Sequence, residues 1–216
     1  IVERLHELLP EAGFIAEEGS GSLEEQEYCW VVDPLDGTSN YIHDCAPYCV
    51  SIALRNREEI LLGVVYECVR EELFWANKNS RAYLNGKEIC VSDQSVLDQS
   101  FIMPELPYKA ERYSPFILPL MRDLYGHVSG IRMLGSAAAE LCYVAAGRFE
   151  IFIEAFLGPW DIAAGYIILK QAGGRMTDFS GNSNGPDAKE VLASNGKVHE
   201  ELLKVLPRHK KLLKHE

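Results

Sequence analysis

No stretch of this 216-residue chain approaches the roughly 20 consecutive apolar residues that a membrane helix needs. Its longest apolar runs, such as residues 60–66, have the length of buried strands. The six cysteines (Cys29, Cys45, Cys49, Cys68, Cys90 and Cys142) form no CxxC pair and no regular framework. That excludes a disulfide scaffold and argues for free thiols in a reducing, cytoplasmic setting. His43 stands close to Cys45 and Cys49, but the spacing is a poor match to a zinc motif. There is no internal repeat, no long linker and no signal-peptide pattern. The first residue is Ile1, not Met, so the expected reading is that a native start lies upstream. Basic residues are scarce at the front: residues 1–44 hold 11 Asp/Glu and one Arg, within a net charge of −11. Such a chain is a poor general binder of nucleic acid, since phosphates repel it. If it handles phosphate, it needs cations between its carboxylates and the phosphate oxygens. The last nine residues reverse the sign, with Arg208, Lys210, Lys211 and Lys214 against Glu216, and read as a solvated helix end.

What is present is ordinary globular chemistry. At 47% hydrophobic residues, a chain of this length buries a core without staples. Residues 2–9 have helical apolar spacing, and 14–16 form a short apolar piece before Glu17 and Glu18. Residues 28–32 read as a buried strand that stops at Asp33-Pro34. Strands follow at 50–55, 60–66 and 72–76, then a hairpin at Asn85-Gly86, whose two residues tolerate positive φ. A strand at 101–103, a helix at 115–125 and a strand at 128–132 come next. The spacing predicts a helix over 136–146 capped by Ser136 and stopped by Gly147. A strand at 151–154 precedes a helix at 159–171, with Pro159 at its start and Gly173-Gly174 past its end. Strands at 175–177 and 191–193 and a helix at 198–206 complete the chain. Strands dominate the first half and alternate with helices in the second, which predicts an α+β fold. The expected organisation is a single unit, 1–216, with an N-terminal half at 1–134 and a C-terminal half at 135–216.

The chemistry concentrates in Asp33-Pro34-Leu35-Asp36-Gly37-Thr38. A strand delivers Asp33, and Asp36 follows three residues later, so two carboxylates can converge. Like charges at that distance raise a pKa, and a divalent cation removes the conflict. Gly37 permits close approach, and backbone amides at such a turn can hold phosphate. Glu17 upstream and Asp161 downstream also sit at element ends, as a multi-metal site requires. Taken alone, Asp161 also suits the first turn of a helix, where an acid complements the dipole.

The run Trp30-Val31-Val32-Asp33-Pro34-Leu35-Asp36-Gly37-Thr38-Ser39-Asn40-Tyr41-Ile42-His43 resembles the first signature of the inositol monophosphatase family. Trp160-Asp161-Ile162-Ala163-Ala164-Gly165, running on to Gly173-Gly174, resembles its second. Ala16-Glu17-Glu18 resembles an upstream Gly-Glu-Glu, with Ala for Gly. Gly135-Ser136-Ala137-Ala138 and Glu154 fall where the family contacts substrate. The resemblance covers nearly the whole chain.

It implies a layered αβαβα sandwich, a homodimer, and lithium-sensitive hydrolysis of a small phosphate monoester with two or three Mg2+ ions. By position, it makes Glu17, Asp33, the Leu35 carbonyl, Asp36 and Asp161 the metal ligands. It assigns Glu17, Asp33 and Thr38 to catalysis. Asp36, Gly37 and Thr38 would hold phosphate; Gly135, Ser136, Ala137, Glu154 and Asp161 would line the alcohol. Mg2+ suits an all-oxygen ligand set better than Zn2+. His43 is read as structural. Two departures stand out. Relatives carry a Lys and an Asp in a helical region ahead of the first helix here, which is expected to lie upstream of Ile1. Asp44 and Cys45 occupy a stretch where a basic residue is frequent. Thr38-Ser39-Asn40-Tyr41 favours inositol monophosphate as substrate, with histidinol phosphate the rival. A metal-binding regulatory relative without turnover is the non-enzyme alternative.

Overall fold

The computed structural model describes residues 1–17, the backbone of 19–20, and residues 26–106, 109–183, 185–206 and 209. Glu18 and the basic tail, His209 apart, lie outside the described residues. The helices are α1 (Val2–Leu8), α2 (Thr38–Ile42), α3 (Ala110–Leu124), α4 (Ala137–Ala145), α5 (Pro159–Gln171) and α6 (His199–Val205). The strands are β1 (Gly13–Ala16), β2 (Gly19–Ser20), β3 (Tyr28–Asp36), β4 (Cys49–Asn56), β5 (Ile60–Glu67), β6 (Glu72–Asn77), β7 (Ala82–Leu84) and β8 (Lys87–Ile89). They continue with β9 (Phe101–Pro104), β10 (Gly130–Ile131), β11 (Ile151–Ala155), β12 (Arg175–Thr177) and β13 (Glu190–Ser194).

The strands form two sheets, ordered β2-β1-β3-β4-β5-β6-β7-β8 and β10-β9-β11-β13-β12. Side-chain alternation assigns each sheet face to a layer. On β11, Phe152 joins the central core, whereas Ile151 and Ile153 join an outer one with α3 and α6. On β3, Val31 faces the central core, whereas Trp30 and Val32 pack with Leu5 of α1. The result is α1, large sheet, α4 with α5, small sheet, then α3 with α6: an α+β sandwich of αβαβα type.

The middle layer is unusually tight. A Cβ added at Gly63 of β5 would lie 2.6 Å from the Ala164 carbonyl oxygen, and one at Gly165 would lie 2.7 Å from Leu141 Cβ. Glycine at these positions lets α5 sit directly on the sheet and on α4. Burial on both sides explains why residues 162–169 of α5 carry no charge.

Several expected boundaries move. β3 does not stop at Asp33-Pro34 but runs to Asp36. α3 starts at Ala110, ahead of Pro115 and Pro119, because Tyr113, Phe116, Ile117, Leu120 and Leu124 make one continuous buried face. The tertiary burial of that face outweighs the hydrogen bonds two prolines forfeit. The strand expected at 128–132 shortens to β10, which pairs only with β9.

Candidate metal centre

Asp33 and Asp36 are three residues apart, so in a regular strand they would point to opposite faces. They do not. Asp33 pairs with Ser51 of β4 and Asp36 with Cys49, so three steps on β3 match two on β4. That is a β-bulge, and its one extra residue restores both aspartates to the same face. Pro34 lies within the bulge, where a missing N–H costs no ladder bond. The bulge therefore converts a spacing of three into convergence.

The neighbours complete the convergence. β1 runs parallel to β3 with Ala16 opposite Val32, so Glu17, exposed, emerges beside Asp33. Ser51, opposite Asp33, donates its hydroxyl to the Trp160 carbonyl at 3.1 Å. This bond ties the start of α5 to the sheet and sets Asp161 against Asp33. Asp161 also accepts the Gly158 N–H at 2.7 Å, so its helix-capping and clustering roles coexist. One carboxylate oxygen each from Asp33, Asp36 and Asp161 all lie within 4.8 Å of one another. Among the described residues this is the acidic cluster able to hold a metal ion.

Three ionised carboxylates at that separation repel by about 3 kcal/mol per pair at an effective dielectric of 20. The electrostatics register this. Burial first, then the Asp36 charge, raises Asp33 to about 8; Glu17 and Asp161 add to it, while the Leu35 N–H opposes. Burial likewise raises Asp161 to about 7, against the Gly158 hydrogen bond. Asp36 is raised by burial and pulled down by its hydrogen-bond donors. All-oxygen and mutually repelling, with Asp33 and Asp36 buried and Asp161 half-buried, the three donors fit a hard divalent cation.

Asp36 is held from behind. Its Oδ2 accepts Ser136 Oγ at 2.5 Å, the Ala138 N–H at 3.0 Å and the Cys49 thiol at 3.5 Å. Ser136 therefore does not cap its own helix as expected; it donates to Asp36, whose carboxylate receives the orphan amides of α4 instead. Gly37, at φ +83°, turns the chain where a Cβ would meet the Pro47 carbonyl oxygen at 3.0 Å and Ser136 Cβ at 3.2 Å. Thr38 opens α2 and donates its hydroxyl to the Leu35 carbonyl at 2.9 Å. Gly135 lies at φ +73° beside Asn40, and Ala137 begins α4. Glu154 on β11 is half-buried, and burial, then the charges of Glu105, Asp36 and Asp161, hold it well above the carboxylate range.

Other supporting residues went unnoticed at the sequence level. Asn40 spans the Pro47 and Leu134 carbonyls at 2.7 and 2.6 Å, fixing the approach to Gly135. Glu105 accepts the Leu134 N–H at 2.6 Å. Glu140 is fully buried on α4, and burial, then Glu105, keeps its carboxyl well above the usual range. An acid inside the apolar run 137–145 was the available signal. His43 and Cys45 are exposed and stand outside the cluster, while the Cys49 thiol faces Asp36. All six cysteines are free. No described helix is long and apolar enough to cross a membrane.

Five layers, with acidic groups gathered at the end of β3 and the start of α5, make an α+β sandwich built around a candidate metal centre. Residues 1–211 match the profile of the inositol monophosphatase family. The chain is 36% identical to a fructose-1,6-bisphosphatase/inositol-1-monophosphatase of Thermotoga maritima, over 95% of this chain and 77% of that protein. It is 38% identical to the Nus factor SuhB of Escherichia coli, over 94% of this chain and 76% of that one. A solved inositol monophosphatase structure from Thermotoga maritima superposes with a TM-score of 0.90 at 34% identity, covering 99% of this chain and 81% of that one. The chain belongs to the inositol monophosphatase family.

Proposed function

We propose that this protein hydrolyses inositol monophosphate to inositol and phosphate, with Mg2+ as cofactor. The observation that carries the reading is the meeting of buried Asp33 and Asp36 with half-buried Asp161, one oxygen of each within 4.8 Å of the others. Glu17, Asp33, the Leu35 carbonyl, Asp36 and Asp161 would hold two or three Mg2+ ions. Bound Mg2+ supplies charge neutralisation at the phosphate and a water of lowered pKa. The chain's own groups do the rest. The Gly37 and Thr38 amides hold phosphate oxygens, with Asp36 alongside. Thr38 donates its hydroxyl hydrogen bond to the Leu35 carbonyl, which leaves its oxygen lone pairs to accept from the attacking water. Gly135, Ser136, Ala137, Glu154 and Asp161 line the alcohol. Ser136 contributes there through its backbone, because its hydroxyl is committed to Asp36. Glu154 accepts hydrogen bonds from a hydroxyl or an ammonium, so histidinol phosphate is the rival substrate. The same reading carries a cytoplasmic homodimer.

The test is a panel of phosphate monoesters assayed with Mg2+ and titrated with lithium. Lithium-sensitive turnover of inositol monophosphate, abolished by Asp36→Asn, is expected. Robust turnover of another ester without inositol monophosphate would overturn the substrate. A second reading follows from the Escherichia coli relative, a Nus factor: a metal-binding regulatory protein that has lost turnover. An Asp36→Asn protein that still performs its cellular role would favour it.

A further inference from the structure

The far end of α5 from Asp161 borders a groove that the phosphatase reading does not use. It has two chambers, of about 180 and about 410 Å3, which share Tyr166, Lys170 and Ser183. The larger falls in the range of small-molecule sites. Lys170 follows Asp161 by nine residues on α5, a separation of about 14 Å along the helix.

The walls of the larger chamber are fixed by ion pairs. Arg55, buried near the end of β4, is gripped by both oxygens of Asp187 at 2.7 and 3.2 Å. Its Nε donates to the Asn56 carbonyl at 3.4 Å. A guanidinium has five N–H groups, and among the described residues three of those of Arg55 are taken, which leaves two for a further acceptor. Opposite, Lys78 pairs with Glu59 at 2.8 Å. The lining counts four cations, Arg55, Arg57, Lys78 and Lys170, against Glu58, Glu59 and Asp187. A positive surplus is unusual on a chain of net charge −11, and it favours an anion. Among the described residues Lys170 makes no ion pair; its ammonium sits 5.9 Å from the centroid of the Tyr166 ring. In the smaller chamber Leu169 and Met176 form the apolar part of the floor, while Lys170 and Arg175 also line it and, among the described residues, no acid does; Arg175 is held by Glu200 at 2.5 Å.

Two chambers that each hold more cations than acids, joined by an aromatic ring and a lysine, suit a ligand with a flat ring and negative charge. We infer that this groove binds a nucleoside phosphate. The phosphate meets Arg55 and Lys170 in the larger chamber, and the base lies against Tyr166 and the floor of the smaller one.

Calorimetry on the intact protein in EDTA, with AMP, adenosine and inorganic phosphate as separate titrants, tests this. EDTA removes metal-dependent binding at the catalytic centre. AMP is expected to bind more tightly than either fragment. Lys170→Glu should weaken AMP by about tenfold or more, while Mg2+-dependent phosphatase activity stays unchanged. Lys78→Glu, on the opposite wall and also exposed, repeats the test should the first variant fold poorly. No AMP binding by the wild type overturns the inference. So does AMP binding that survives both variants, or that is abolished by Asp36→Asn.

Discussion

Replacing Asp33 with Asn is expected to stabilise the metal-free protein while removing its response to Mg2+. The Asp33 carboxyl titrates at about 8 in the fold against an ordinary 3.8. At neutral pH it is therefore protonated when folded and ionised when unfolded. Neutral pH stands about three pH units above the ordinary value, so the mismatch costs the metal-free fold about 4 kcal/mol at most. Asn carries no charge and still accepts the Leu35 N–H, which Asp33 now takes at 2.9 Å. Recovering most of that cost raises the melting temperature by about 10 °C for a chain of this size. The pH dependence has a definite sign. A carboxyl whose folded pKa lies above its unfolded one binds the extra proton in the folded state. Metal-free stability thus rises as pH falls through 8, and Asp33 contributes about 1.4 kcal/mol per pH unit of that slope. His199 acts in the opposite sense: burial lowers it to about 4 from 6.5, so acid below 6.5 destabilises through it. Asp161, raised to about 7, adds a slope of the same sign as pH falls through 7, so within the window from pH 8 to 6.5 Asp33 acts first, between pH 8 and 7, and the two act together down to 6.5. Thermal melts of both proteins in EDTA and in saturating Mg2+ across that window are the assay. Wild type should gain from Mg2+ and from mild acid; the variant should not gain from Mg2+ and should gain less from mild acid, keeping the part that Asp161 supplies. A variant less stable than wild type in EDTA, or an equal Mg2+ shift in both, would refute the reasoning.

Two further substitutions probe the supports. Ser136→Ala removes the 2.5 Å bond to Asp36; Mg2+ affinity, read by titration of activity or by calorimetry, should fall by about 10- to 100-fold, and an unchanged affinity would show that the bond does not orient Asp36. Gly63→Ala drives a Cβ to within 2.6 Å of the Ala164 carbonyl oxygen; urea denaturation should show a loss of about 1–3 kcal/mol, and a neutral result would mean that α5 can lift from the sheet at no cost.

The legible parts of this fold were those with local punctuation. Pro159 and the Gly173-Gly174 pair bracket α5, and the observed helix runs Pro159–Gln171 as read. Asn85 and Gly86 take positive φ in the β7–β8 turn as their chemistry requires. The acidic residues were legible as candidates because each stands at an element end. What stayed hidden was set at a distance. β1 has four residues and no alternation, and it is pairing with β3 and β2 that makes it a strand. Prolines argued for a late start of α3, and a buried face formed with the second sheet overruled them. Ser136 carried the residue type of a helix cap, and only an aspartate 100 positions away redirected its hydroxyl. The parity problem of Asp33 and Asp36 was invisible, since it is solved by the register of β4.

That bulge has a consequence for how this stretch can change over generations. The side chains at positions 34 and 35 are exposed and half-buried, so their identities can drift. Their number cannot. Losing one codon there would remove the extra residue, rotate Asp36 to the α1 face, and strip α4 of the carboxylate on its amides. The loss would hardly alter composition, charge or hydropathy. What is inherited between the two aspartates is a count, and an insertion or deletion of a single residue should be as lethal to the site as replacing an aspartate.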